Sequence, residues 1–169
     1  MIQLSAIKIS IFSEETLSHI WPLPSMVVAN QNMLQLLYDL AVTQPSPLPP
    51  HLQDVLAGGI LEEDDCWFLA ACRGGPKYTI ERFGHRTGLE CFVNSVHVDG
   101  KATVDPTTLQ KQALTYAGAL RQMLEPHGAF KIILGFSYYK PDDGPNELTS
   151  TVRFHRVRPG EQWLADDLE

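Results

Sequence analysis

One stretch constrains the fold of this chain more than any other. Asp105-Pro106 opens it and Pro126 and Gly128 close it, and between them Leu109, Ala113, Tyr116, Ala117, Leu120 and Leu124 recur at the spacing of one helix face. An aspartate suits the N-cap because its carboxylate can accept an otherwise unpaired backbone N–H, and proline suits the first helical position because its missing N–H is not needed there. A helix with such a stripe must bury it against another layer. The next segments supply that layer. Lys131 to Tyr139 and Leu148 to Val157 read as strands, and Pro141-Asp142-Asp143-Gly144-Pro145 between them reads as the turn of a hairpin.

Upstream, the same reasoning predicts more strands. Cys66 to Arg73, Lys77 to Phe83 and Leu89 to Val98 are apolar runs separated by Gly74-Gly75-Pro76 and by Gly84-His85-Arg86-Thr87-Gly88, which predicts three consecutive antiparallel strands. Near the beginning, Ile7, Ile9 and Ile11 alternate with polar residues as in a half-buried strand over residues 3 to 12. Ser13-Glu14-Glu15-Thr16 predicts a helix entry, stopped by Trp21-Pro22. Asn30 caps a second predicted helix through Met33, Leu36, Leu37 and Leu40. Pro45-Ser46-Pro47-Leu48-Pro49-Pro50 has the composition of a stiff connector, about residues 44–50, or of a polyproline docking ligand, and it leads into a short helix over His51 to Leu56. The expected architecture is α+β: a single globular domain over residues 1–169, mainly antiparallel sheet with helices packed on one face.

Charge is sorted along the chain. From Ile9 to Cys72 there is no lysine or arginine, yet this window holds Glu14, Glu15, Asp39, Asp54 and the run Glu62-Glu63-Asp64-Asp65. With 169 residues, 44% hydrophobic and 20% charged, the composition is that of one ordinary folded domain. A net charge of −7 and a pI near 5.3 exclude a sequence-independent nucleic-acid binder, which needs a clustered basic surface, and disfavour contact with an anionic membrane. Met1 to Lys8 has no basic flank followed by an apolar run and cleavage site, so a cytoplasmic location is expected. Cys66, Cys72 and Cys91 are odd in number and lie in apolar segments, which predicts buried reduced thiols. No Cys-x-x-Cys spacing occurs, and neither metal nor cofactor is expected.

The candidate chemistry is sparse. His97 and Asp99 share one side of a strand, and Arg153 and His155 share one side of the last, with Arg156 and Arg158 beyond them. No Gly-x-Ser-x-Gly nucleophile turn and no glycine-rich phosphate loop is present, so no catalytic residue is assigned. A small hydrolase or ligand-binding enzyme built on His97, Asp99 and His155 is the alternative. The cluster Arg153, Arg156 and Arg158 reads as a basic strand end that balances the acidic half or a partner's carboxylates, with an anion or phosphate grip as the alternative. The acidic run Glu62, Glu63, Asp64 and Asp65, with Trp67 beside it and Trp163 in a second acidic segment, reads as a binding surface for another protein, a basic one. One-signed charge steers association and aromatic anchors supply affinity. An acidic secretion chaperone or adaptor would use the same features.

From Cys91 onward the chain resembles the small cytoplasmic immunity proteins that accompany bacterial polymorphic toxins. The resemblance lies in Phe92-Val93-Asn94-Ser95-Val96-His97-Val98-Asp99, in the helix from Asp105, and in Thr151-Val152-Arg153-Phe154-His155 leading to Gly160-Glu161-Gln162-Trp163-Leu164-Ala165-Asp166-Asp167-Leu168-Glu169. It implies a compact, acidic, non-catalytic protein that neutralises a cognate basic toxin by occluding it.

Overall fold

The computed structural model describes residues 45–74, 78–99, 105–139 and 147–163, together with Gln35. The strand over residues 3 to 12, the helices entered at Ser13 and Asn30, the turn over 141–145 and the tail after Trp163 lie outside the described residues. The elements in order are α1 (Pro50–Ala57), β1 (Ile60–Glu63), β2 (Cys66–Leu69), α2 (Ala70–Arg73), α3 (Ile80–Phe83), α4 (Arg86–Val93), β3 (Val96–His97), α5 (Pro106–Leu124), a 3-10 turn (Glu125–His127), β4 (Phe130–Tyr139) and β5 (Glu147–Arg156). The architecture is α+β with antiparallel sheets: a β1–β2 hairpin, and a three-stranded sheet in the order β3-β5-β4.

The long helix forms as its sequence dictates. Asp105 Oδ1 accepts from Thr108 N at 3.0 Å, Pro106 occupies the first position, and the six residues of the stripe are all buried. They pack on one face of the sheet, against Val96, Val152 and Leu134, which lie side by side across the three strands, and against Phe154 and Phe136. Fully burying each such aliphatic or aromatic side chain contributes roughly 1.5–3 kcal/mol, so this interface is the main core. The proline-rich connector leans on the same helix. Leu48 packs against the core, and Pro47 O accepts from Gln112 Nε2 at 3.4 Å.

The three-strand reading of Cys66 to Val98 is corrected. β2 ends at Leu69, Ala70–Arg73 is one helical turn, Ile80–Phe83 is another, and Arg86–Val93 is a helix where a strand was predicted. Only Val96–His97 pairs as a strand, with Val152 and Thr151 of β5. The second strand of the hairpin instead comes from Ile60–Glu63, so half of the acidic run is strand and only Asp64-Asp65 form the turn. Both turn residues have positive φ, 54° and 60°, as the two-residue turn that matches strand twist requires.

The hairpin separates two cores. Ile60, Trp67 and Leu69 point to the main one, whereas Leu61, Cys66 and Phe68 point to a smaller one with Leu89, Tyr78, Ile80, Phe83 and Val93. Helix α4 then ties the hairpin to the larger sheet through its polar side chains. Asn94 Oδ1 accepts from Leu69 N at 2.9 Å, and its Nδ2 donates to Trp67 O at 2.8 Å and Phe154 O at 3.3 Å. Asn94 is fully buried, and each backbone group stranded by its loss costs about 1–3 kcal/mol. Asn94→Leu is therefore expected to lower unfolding free energy by about 3 kcal/mol or more in urea denaturation; a loss under about 1 kcal/mol would show that the contact is dispensable.

Candidate functional site: a polar cleft beside an acidic hairpin

The centre of the polar architecture is Glu90, a carboxylate with no solvent exposure. It accepts four hydrogen bonds: Oε1 from Trp67 N at 2.7 Å and Arg158 Nη2 at 2.8 Å, Oε2 from Arg156 N at 2.9 Å and Arg158 Nη1 at 2.7 Å. The bidentate fork with Arg158 is the geometry in which a buried pair offsets its desolvation. Burial alone would lower the pKa of Arg158, but Glu90 raises it by more, so the guanidinium stays charged. Arg158 also donates from Nη2 to Asp65 O, which pins the segment after β5 to the hairpin turn.

That pinned segment returns to the start of α4. Glu161 Oε2 accepts from Thr87 N at 2.9 Å, and His85 Nδ1 accepts from Gly88 N at 2.9 Å, so two otherwise unpaired N–H groups of the helix start are capped by side chains. Burial raises the Glu161 carboxyl pKa, but the Thr87 hydrogen bond, Arg158 and His85 lower it by more, so Glu161 is ionised. The 3.9 Å approach of His85 Nδ1 to Glu161 is not an ion pair in this state, because that nitrogen presents its lone pair to Gly88 N–H.

Between these groups lies a cleft of about 540 Å³, lined by His85, Lys131, His155 and the segment Val157 to Gln162. His155 is 3% exposed and faces Lys131 across the ladder. Its Nδ1 lies 2.9 Å from Arg156 O; a carbonyl only accepts, so Nδ1 carries the proton. Burial holds the imidazole below its ordinary pKa, against the raising effects of the Arg156 carbonyl and Glu90, so it is neutral at pH 7.

The residues singled out from sequence are thus redistributed. His97 is exposed on β3 opposite Thr151, four residues along β5 from His155, roughly 13 Å at 3.3 Å per residue. Asp99 Oδ1 accepts from Ser150 N at 3.2 Å, extending the ladder where β3 ends. His97, Asp99 and His155 therefore do not converge. Among the described residues no group of His, Cys, Asp and Glu could hold a metal ion. Arg156 pairs with Asp65 at 3.3 Å and Arg158 with Glu90, which is the internal balance expected of that basic strand end. All three cysteines are free; burial pushes the Cys66 thiol up to about 11 and Cys91 up to about 12, which makes both poor nucleophiles.

The acidic run splits by its pairing. Glu63 forks with Arg73 at 2.8 and 3.0 Å, and Asp65 meets Arg86 at 3.5 Å and Arg156 at 3.3 Å. Glu62 and Asp64 are exposed, and among the described residues no cation pairs with either. Trp67 is half-buried, its ring against His127 at 4.8 Å and Phe130 at 5.7 Å, so it is an internal packing group and not an exposed anchor. Trp163 is half-buried beside Gln162. Sequence reasoning missed Glu90, Asn94, His85, Lys131 and Glu161. The one signal was the spacing of Thr87, Glu90, Cys91 and Asn94, a helix face written in mostly polar letters.

An antiparallel α+β chain with a clasped hairpin and a histidine-lined cleft is the class these features define. The chain belongs to the Uncharacterized protein PM0498 family, whose family model matches residues 28–169 and so takes in every element from α1 to β5. No curated protein and no solved structure shows significant similarity to it. Among the described residues no helix is long and apolar enough to cross a membrane.

Two outcomes follow from the buried groups. Glu90→Gln removes the charge that balances buried Arg158, at about 3–5 kcal/mol, so the melting temperature should fall by roughly 6 °C or more; a shift under about 2 °C would mean that Arg158 finds another partner. The folded pKa of His155 lies below its unfolded value near 6.5, so the unfolded state binds the proton more readily. Its stabilising contribution is complete above pH 6.5 and declines as pH falls through the folded value. Stability of the native chain measured from pH 7.5 to 5 should therefore drop with a slope that His155→Gln reduces; equal slopes would contradict the assignment.

Proposed function

We propose that this protein is a non-catalytic protein-binding domain that offers its acidic hairpin to a basic partner, and that it works in the bacterial cytoplasm as an immunity protein occluding a cognate toxin. The observation that carries the reading is the division of the acidic run. Glu63 and Asp65 are neutralised from within by Arg73, Arg86 and Arg156, and this seats the hairpin. Glu62 at the end of β1 and Asp64 in the turn are exposed and carry no ion-pair partner among the described residues. Fixed charge of one sign at a protruding turn raises the rate of encounter with an oppositely charged surface and does so without ordering a loop on binding.

The test uses the product of the gene neighbouring this one as the partner. Glu62→Gln with Asp64→Asn removes both charges while keeping side-chain size and, at position 64, a residue that tolerates positive φ. Association in 0.1 M salt should slow roughly tenfold, and the difference should vanish in 1 M salt, where the Debye length is about 3 Å. Dissociation should change little. Equal association rates for the double variant and the native chain would show that these carboxylates only solvate the turn.

A further inference from the structure

The cleft beside His155 presents hydrogen-bonding groups whose polarity is set by the backbone. Because Nδ1 of His155 donates to Arg156 O, its Nε2 is an acceptor. Because Nδ1 of His85 accepts from Gly88 N, the proton of the neutral His85 ring is on Nε2, a donor. The charges nearly cancel: Arg158 is matched by Glu90, and one ammonium, Lys131, and one carboxylate, Glu161, line the cleft. Val157, 44% exposed, and Pro159 supply an apolar side.

A cleft of nearly balanced charge with a histidine acceptor, a histidine donor and an apolar wall fits a neutral group that itself carries adjacent donor and acceptor atoms. We propose that this cleft binds a carboxamide, with the amide N–H donating to His155 Nε2 and the amide carbonyl accepting from His85 Nε2–H. An oxyanion would match the His85 donor but meet the lone pair of His155 and the Glu161 carboxylate. The site is separate from the exposed carboxylates of the hairpin, so its occupancy does not depend on Glu62 or Asp64.

The two ligand charges predict opposite responses to acid. The groups facing His155 are Glu90 of α4, Lys131 of β4 and Arg158 after β5, together with His85 in the cleft. Protonation of His155 removes the acceptor that pairs with the amide N–H and adds a donor for an anion. The experiment follows the histidine side-chain 15N and 1H resonances of the full chain during titration with benzamide, with the peptide mimic N-acetylalanine methylamide, and with benzoate, which has the shape of benzamide and a negative charge. Saturable shifts of His155 and His85 with an amide at pH 7.5, weakening as pH falls through the range in which the His155 resonances of the free chain titrate, support the proposal. A response to benzamide alone points to a free primary carboxamide, and a response to the methylamide alone points to a peptide group of a protein partner. His85→Ala, which leaves His155 in place, should weaken amide binding at least fivefold. Absence of saturation with both amides overturns the proposal. So does tighter binding of benzoate than of benzamide, growing as pH falls.

Discussion

The fold depends on one carboxylate. The hairpin and the three-stranded sheet share no hydrogen-bonded strand pair, and β5 runs past the two-residue β3 with its edge groups at Phe154 and Arg156 still to be paired. Glu90 and, four residues on, Asn94 fill that gap, taking Trp67 N, Leu69 N and Trp67 O on one side and Arg156 N and Phe154 O on the other. They serve as a strand made of side chains. A buried carboxylate is tolerable only when its lone pairs are all used and a cation is at hand. Arg158 is that cation, so the interaction that joins the sheets also dictates where the chain goes after β5. Once Arg158 is locked on Glu90, Gly160 turns at a φ of 75° and Glu161 reaches back to cap Thr87. The cleft is the space left under that return.

How much was legible in the sequence follows from which residues carry each pattern. Helix α5 and the β4–β5 hairpin were read with nearly correct bounds because apolar residues mark both periods there, and because Asp105-Pro106 and Pro126 mark the helix limits. Helix α4 was read as a turn and then a strand. Thr87 to Cys91 are all buried, as is Asn94, so burial runs around the helix and includes the polar Thr87, Glu90 and Asn94, whereas a rule that follows hydrophobicity sees only Leu89, Cys91 and Val93, which alternate as in a strand. Local preference lost to tertiary hydrogen bonding at the one place where the fold needs polar residues inside.

The candidate site was less legible. His155 was noticed, but its neighbours come from three other parts of the chain: Lys131 through the β4–β5 register, His85 through the cap of α4, and Glu161 through the return after Arg158. None of these is a spacing within one element. His97 and Asp99 did share a strand face, as two-residue spacing requires, yet they sit at the far end of the β5 ladder from His155. Same-face arguments fix direction and not position along a sheet, so a trio drawn from two strands could not be placed without the register.

The sorting of charge along the chain takes on a different meaning in space. Arginines from outside the lysine- and arginine-free window fold back onto it, Arg73 onto Glu63 and Arg86 with Arg156 onto Asp65, and half of the acidic run is thereby balanced. Half-exposed pairs of this kind stabilise by only about 0–1 kcal/mol each, so they orient the turn more than they strengthen it. Hairpin geometry does not explain the turn's composition either. A two-residue turn with both φ values positive is best served by Asn-Gly or Asp-Gly, and left-handed backbone costs about 1–2 kcal/mol for each non-glycine residue, somewhat less for aspartate. Asp64-Asp65 therefore carries strain that a glycine would relieve. Asp65 has an internal use, as the partner of two arginines and, through its carbonyl, of Arg158. Asp64 stands at the first turn position, where aspartate suits the left-handed backbone, and its exposed carboxylate, with no ion-pair partner among the described residues, adds outward charge beside exposed Glu62. That outward charge is what supports the proposal of a basic partner at this hairpin.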